Sequence, residues 1–335
     1  MKFALKYREG MHIEKKEKRV ARVGAGPAGL IAAGELICLG YDVNVYDQMP
    51  EPGGLLIFGI PEARIPKKTV REGVNQLKDL GVVFNMNILV GRDMDIKDLV
   101  KEHDAVLVAT GTWKSREMGL AGEKFNGIHH ALNYIVDYHL SKFNYRGLFH
   151  KPSGNKRMTV IGGGLTAVDA CMIASEMGVK RISLIYRRTK KEAPAGPLEI
   201  EKLEKSGIEF RELVQPVEFI GNGRVKAVKA IRMRLGDLDS TGRPEPIPID
   251  NSEHLIPADI VLVAVGLAPT FPNPEKFVIE AEKDGVIKTD ESFKTNIEKV
   301  FAAGDVKHGP TRIGPAFQSG IKVANYIHEY LLKLT

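Results

Sequence analysis

One short design occurs twice in this sequence. Val20 to Asp47 reads VARVGAGPAGLIAAGELICLGYDVNVYD, and Met158 to Arg188 reads MTVIGGGLTAVDACMIASEMGVKRISLIYRR. Each copy is an apolar run, a glycine-rich turn, a stretch with apolar residues three and four apart, a glycine, and a second apolar run. That succession predicts strand, turn, helix and strand, the βαβ unit of a parallel sheet. Each copy is also followed, far downstream, by an apolar strand that ends in a glycine: DAVLVATG, ending in Ala109, Thr110 and Gly111, and DIVLVAVG, ending in Gly266. A lone glycine fingerprint is weak evidence. Two fingerprints, each with its later strand, predict two whole dinucleotide-binding units. The expected fold class is therefore α/β with two Rossmann-like domains, one inserted into the other. A length of 335 residues suits two domains.

The turn residues carry the chemistry. In the first copy, Gly24 permits a tight bend out of the strand, and Gly26 lets a pyrophosphate approach the backbone. Pro27 and Ala28 open the helix, and Gly29 allows helix and strand to pack closely. The helix N-terminus then offers free N–H groups and partial positive charge to phosphates. Asp47, at the end of the second strand, is placed to accept ribose hydroxyls. The second copy has Gly162, Gly164, Leu165 and Thr166 in its turn, with Ala167 where the last glycine stood. No acid ends its second strand; Arg187 and Arg188 stand there instead. A carboxylate would repel a 2′-phosphate and a guanidinium binds one in a fork, so NADP(H) is expected over NAD(H). A solvated basic run is the alternative reading of the same residues.

Composition narrows the class. The net charge of +6 is modest, and no basic stripe with interleaved aromatics suggests nucleic acid. The chain has two cysteines, Cys38 and Cys171, in apolar helix-like stretches. They form no CxxC redox pair and are too few for a four-cysteine iron–sulfur cluster. The histidines lack metal-ligand spacing, so no metal is expected. The charged stretch Met1 to Arg19 lacks the apolar core of a signal peptide, and no apolar run is long enough to span a bilayer. A cytoplasmic location and no membrane partner are expected.

Beyond the two fingerprints, the sequence contains GGLLIFGIPEARIPK (Gly53 to Lys67), VGRD (Val90 to Asp93), YRRTKKEAPA (Tyr186 to Ala195) and FAAGDVKHGP (Phe301 to Pro310). With these strings it resembles the small-subunit family of NADPH-dependent glutamate synthase and related ferredoxin:NADP and sulfide dehydrogenase flavoprotein subunits. The resemblance runs from about Val20 to the C-terminus. It implies FAD on the first unit and NADP(H) on the second, with hydride passing between the cofactors and no catalytic side chain. It also implies that Gly54, Leu55, Ile60 and Arg64 line the flavin site and that Val90 sits at the adenine. Gly304 and Asp305 would approach the pyrophosphate and ribityl chain, with Thr311, Ile313 and Ala316 near the isoalloxazine. His308 is read as a structural or solvent-facing residue.

Three departures stand out. Arg22 occupies the first strand where the family has an apolar residue. Pro315 replaces a common acid, and TWKSREMGLAGE after the ATG is unusual. The family's small subunit also carries an N-terminal cysteine-rich region, whereas about twenty residues without cysteine precede the first strand here. An electron-accepting partner is therefore expected: a glutamate synthase large subunit, or an iron–sulfur or ferredoxin-like protein. Alternatives are a stand-alone NADPH:acceptor reductase and a non-catalytic flavin-binding assembly subunit. The expected domains are 18–125 with 290–335 for FAD, 126–289 for NADP, and an extension over 1–17, with hinges near 109–126 and 266–290.

Overall fold

The computed structural model describes residues 1–146, 155–240, 242–272 and 278–334. The chain forms two compact units: Met1–Lys114 with Leu267–Thr335, and Ser115–Gly266. In the first, β1 (Arg19–Val23) leads through the glycine turn into α1 (Pro27–Cys38) and returns as β2 (Asp42–Asp47). Pro27 suits the first helical turn, where its missing N–H has no intrahelical acceptor to lose. Next come α2 (Leu55–Phe58), α3 (Lys67–Asp79), β3 (Val83–Met86) and α4 (Ile96–Glu102). Asp95 caps α4 by accepting the Lys97 N–H. The four buried residues of β4 (Ala105–Val108) follow, and then β5 (Thr112–Ser115).

The second unit repeats the design. It contains β6 (Ile128–His130), α5 (Ala131–Lys142), β7 (Arg157–Ile161), α6 (Leu165–Glu176), β8 (Arg181–Tyr186), α7 (Pro197–Lys205) and β9 (Glu209–Glu212). An antiparallel section follows: β10 (Val214–Gly221), β11 (Val225–Leu238), β12 (Pro244–Pro248) and β13 (His254–Pro257). Asn222-Gly223 signals a turn in the sequence, and a hairpin stands there, with Gly223 at φ +67° between β10 and β11. Thr241-Gly242 signals a second turn: Gly242 is at φ +74°, and Thr241 lies outside the described residues. β14 (Ile260–Val263) closes a parallel sheet of order β6-β14-β7-β8-β9.

The returning chain gives β15 (Leu267–Pro269), which pairs with β5, and β16 (Val300–Ala302), which pairs parallel with β4. The first sheet thus has the order β16-β4-β1-β2-β3. Last come α8 (Asp305–His308) and α9 (Ile313–Leu332). α9 lies hard against α1: a Cβ on Gly320 would fall 2.4 Å from the Ala28 carbonyl oxygen.

The units divide earlier than the boundaries 126 and 290 expected from the sequence. Met118, Leu120 and Phe125 pack on the second unit's core around Phe219 and Val263. Ile279 and Ile287 are buried in the first unit's core beside Val106 and Val300. The stretch expected as an extension is also folded onto the first unit. Phe3 and Ala4 are fully buried, Phe3 stacks edge-on against Phe317, and the Met1 ammonium donates to the Thr69 carbonyl. Burying one phenylalanine of this kind contributes about 2 kcal/mol.

Candidate functional site

The glycines of the first turn divide into two kinds. Gly24 has φ +108°, and a Cβ there would lie 2.3 Å from the Ala109 carbonyl oxygen. A Cβ on Gly29 would lie 2.3 Å from the Gly24 carbonyl oxygen, one on Gly54 would lie 2.9 Å from Gly26 Cα, and one on Gly304 would lie 2.7 Å from Ala28 Cβ. These four positions are glycine because other atoms already occupy the space. Gly26 differs: nothing lies within 4 Å of its Cβ position. It is the N-cap of α1, no side chain caps the helix, and the first turn holds no acid. Open space over uncapped, outward-directed N–H groups is what a diphosphate requires. The structure therefore gathers Gly24, Gly26, Pro27, Ala28, Gly29, Gly54, Ala109 and Gly304 around one helix end.

Asp47 braces this turn. Its Oδ2 accepts the Ala25 N–H at 2.6 Å, and its Oδ1 accepts the Met49 N–H at 2.8 Å. Burial pushes its carboxyl pKa up, and the two N–H donors pull it back. Beside it runs a groove of about 500 Å³, lined by Gly24, Asp47, Val90, Arg92, Thr110, Trp113 and Phe271 among others. This volume falls in the range of small-ligand sites. Val90 and Thr110 thus join Asp47. Trp113 and Phe271 were not singled out from sequence; Trp113 sat beside the ATG strand as a signal, and Phe271 comes from the returning chain.

The remaining flavin-side candidates lie on elements anchored by buried polar contacts. Lys67, almost wholly buried, donates to the carbonyls of Leu56 and Ile60, which holds the α2 segment carrying Leu55 in place. Half-buried Ile60 and Arg64 follow, with the Arg64 N–H donating to the Pro61 carbonyl. The Gly304 N–H donates to Ser319 Oγ at 2.9 Å, and Thr311 Oγ donates to Asp305 Oδ1 at 2.6 Å. Burial raises the Asp305 pKa, which the Thr311 contact opposes. Ile313 begins α9, Ala316 is buried in its first turn, and Pro315 is exposed. His308 is exposed, edge-on to Phe293.

The second cradle follows the same rules. A Cβ on Gly162 would lie 2.4 Å from the Ala264 carbonyl oxygen, while Gly164, the N-cap of α6, has open space above it. Leu165 and Thr166 form the first, half-buried turn of α6. Gly266 is exposed and accepts the Arg116 N–H. Hydrogen bonds set the correspondence between the cradles: the Gly24 N–H donates to Tyr46 O and the Gly162 N–H to Ile185 O. Tyr186 therefore stands where Asp47 does, Arg187 where exposed Gln48 does, and Arg188 where buried Met49 does. Gly163 fits under the Tyr186 ring, to which a Cβ would approach within 2.5 Å.

That register corrects one expectation. Arg188 does not face a ligand: its side chain is 3% exposed, donates to the Pro244 carbonyl at 2.6 Å and pairs with Asp239 at 2.6 Å. It ties the β8 end to β12. Arg187 is exposed, and Lys191 is exposed beside it, whereas Lys190 is engaged by Glu204. Among the described residues of the basic run, Arg187 and Lys191 thus stand without an ion-pair partner, while Arg188 and Lys190 are each paired.

Among the described residues, no group of His, Cys, Asp and Glu is arranged to hold a metal. No described helix is long and apolar enough to cross a membrane. Cys38 and Cys171 are free and buried in different units. Burial raises both thiol pKa values.

Two dinucleotide cradles on nested parallel sheets define the two-domain pyridine-nucleotide oxidoreductases. The fold is shared with Mycobacterium tuberculosis FprA in complex with NADPH: TM-score 0.81 at 20% identity, covering 95% of this chain and 85% of that one. The chain belongs to the pyridine nucleotide-disulphide oxidoreductase family, whose pattern matches residues 18–320, and within it to the glutamate synthase [NADPH] small-chain group. It is 36% identical to that small chain from Halomonas elongata, over 98% of this chain and 71% of the relative. It is 35% identical to the NADP(+)-dependent formate dehydrogenase subunit beta of Moorella thermoacetica, over 94% of this chain and 44% of that protein. The protein is an FAD-dependent NADPH oxidoreductase.

Proposed function

We propose that the cradle at Gly24–Gly29 holds FAD and the cradle at Gly162–Ala167 holds NADP(H), and that electrons leave for a separate protein. One observation carries the assignment: the cradles are equivalent in register, yet one presents Asp47 where the other presents Tyr186 followed by exposed Arg187. An acid favours ribose hydroxyls, and a free guanidinium favours a 2′-phosphate. When bound, the two cofactors supply the chemistry, a hydride transfer from nicotinamide to flavin. The chain's own residues bind and orient. Gly26 and Gly164 leave room for diphosphates, and Asp47 fixes the first turn.

The two cysteines are too few to hold a four-cysteine cluster, and this reading takes another protein as the acceptor. Relatives named as a synthase small chain and a dehydrogenase beta subunit support association with other subunits, and the partner in this reading is of the iron–sulfur or large-subunit type. A reducing, cytoplasmic setting accords with unpaired cysteines. Anaerobic NADPH addition to the purified chain should bleach the 450 nm flavin band; a band unchanged by NADPH refutes the assignment. Glutamate formation from glutamine and 2-oxoglutarate with an added large subunit then separates this role from a stand-alone reductase.

A further inference from the structure

Arg22 is fully buried in β1, opposite Val45 on β2 and Leu107 on β4. Its Nη2 lies 3.4 Å from the Gly24 carbonyl oxygen, and a Cβ on Gly29 would fall 2.6 Å from that same nitrogen. The guanidinium is therefore wedged under the two ends of the first glycine turn. Its Nε and Nη1 have no hydrogen-bond partner among the described residues. Desolvation alone shifts it, lowering its pKa to about 9, with no neighbouring carboxylate opposing the shift. It remains cationic at neutral pH. An unpaired interior cation is strongly disfavoured, and an arginine at this position demands an anion nearby.

The open face of the same turn, at Gly26, supplies a place for one. We propose that Arg22 is an internal counter-charge for the diphosphate of the dinucleotide in the first cradle, a positioning residue that acts through the Gly24–Gly29 turn without touching the ligand. The inference rests on FAD occupying that cradle. Through a low-dielectric interior, an anion on one side of the turn and a cation on the other attract more strongly than in water. Cofactor binding thus relieves the penalty of the buried charge, and stability becomes unusually dependent on FAD.

The test measures FAD dissociation by flavin fluorescence on the full chain, with thermal melts across a range of FAD concentrations. Arg22→Met keeps an unbranched side chain, shorter than arginine's, and removes the charge. Expected are FAD binding weaker by about tenfold or more and, without added FAD, a melting temperature equal to or above wild type. Arg22→Lys, which keeps the charge, should stay within about threefold of wild type. Competition adds a phosphate-specific reading: ADP should lose affinity for Arg22→Met, and adenosine should not.

The inference is overturned by FAD affinity within twofold in Arg22→Met, by equal losses for ADP and adenosine, or by Arg22→Lys behaving like a neutral variant. A lower melting temperature of Arg22→Met without FAD also overturns it, since that marks a residue needed for folding. Wild-type protein that fails to bind FAD refutes the cradle assignment instead, so the two failures are told apart.

Discussion

Replacing Arg188 with methionine removes a cation that donates to the Pro244 carbonyl and to Asp239, each at 2.6 Å. Breaking a buried pair by removing one partner costs about 3–5 kcal/mol. Asp239 is 25% exposed, so water reaches it and the cost is smaller. Methionine fills much of the space, which keeps any cavity small. About 2–3 kcal/mol remains, a fall of about 5–10 °C in the melting temperature of a unit this size. NADPH preference over NADH should change less than threefold, since Arg188 faces the protein. Arg187→Ala should do the reverse: no shift in melting temperature, and a loss of about 10- to 100-fold in the NADPH:NADH ratio of kcat/KM, the worth of one charge-assisted contact. Differential scanning fluorimetry and steady-state kinetics on both variants decide it. Preference lost in Arg188→Met at unchanged stability, with Arg187→Ala silent, would refute the register argument.

Three further outcomes are expected. Asp47→Asn turns an N–H donor toward one of the backbone donors at Ala25 and Met49, and FAD should dissociate about ten times faster, read by stopped-flow fluorescence. Gly34→Ala places a Cβ 2.1 Å from the Phe3 carbonyl oxygen; limited proteolysis should then cut the first residues, with a loss of about 2 kcal/mol in urea titration. Asp93 is held at about 2 by the Arg92 guanidinium and the Leu89 N–H, so its contribution is present above the ordinary carboxylate range and lost as pH falls toward 2. In Arg92→Ala, the NMR titration midpoint of Asp93 should move up toward 3.8.

Both cradles were legible because their constraints are local. A glycine turn between an apolar strand and an amphipathic helix has few other foldings. What escaped the sequence was non-local or depended on direction. Arg187 and Arg188 look alike in a string, and only strand alternation and the distant Asp239 separate them. Phe271 reaches the groove after the chain has built a whole second unit. The boundaries moved because Leu120 and Ile287 chose cores that neither neighbour in sequence reveals. The docking of residues 1–4 had a faint signal in retrospect: Gly34 and Gly73, helical glycines that leave room for the backbone of Phe3 and Met1. Arg22 was visible as an oddity, and its lack of a partner required the structure.

The ends of the second unit meet: the Arg116 N–H donates to the Gly266 carbonyl at 3.0 Å, and the flanking strands β5 and β15 run side by side. A module whose start and finish share one doorway can be lifted out or traded without re-threading its host. A short linker from Lys114 to Leu267 would leave every strand of the sheet β16-β4-β1-β2-β3 in place. The architecture thus permits the second unit to be exchanged as a cassette while the host sheet keeps its own strands.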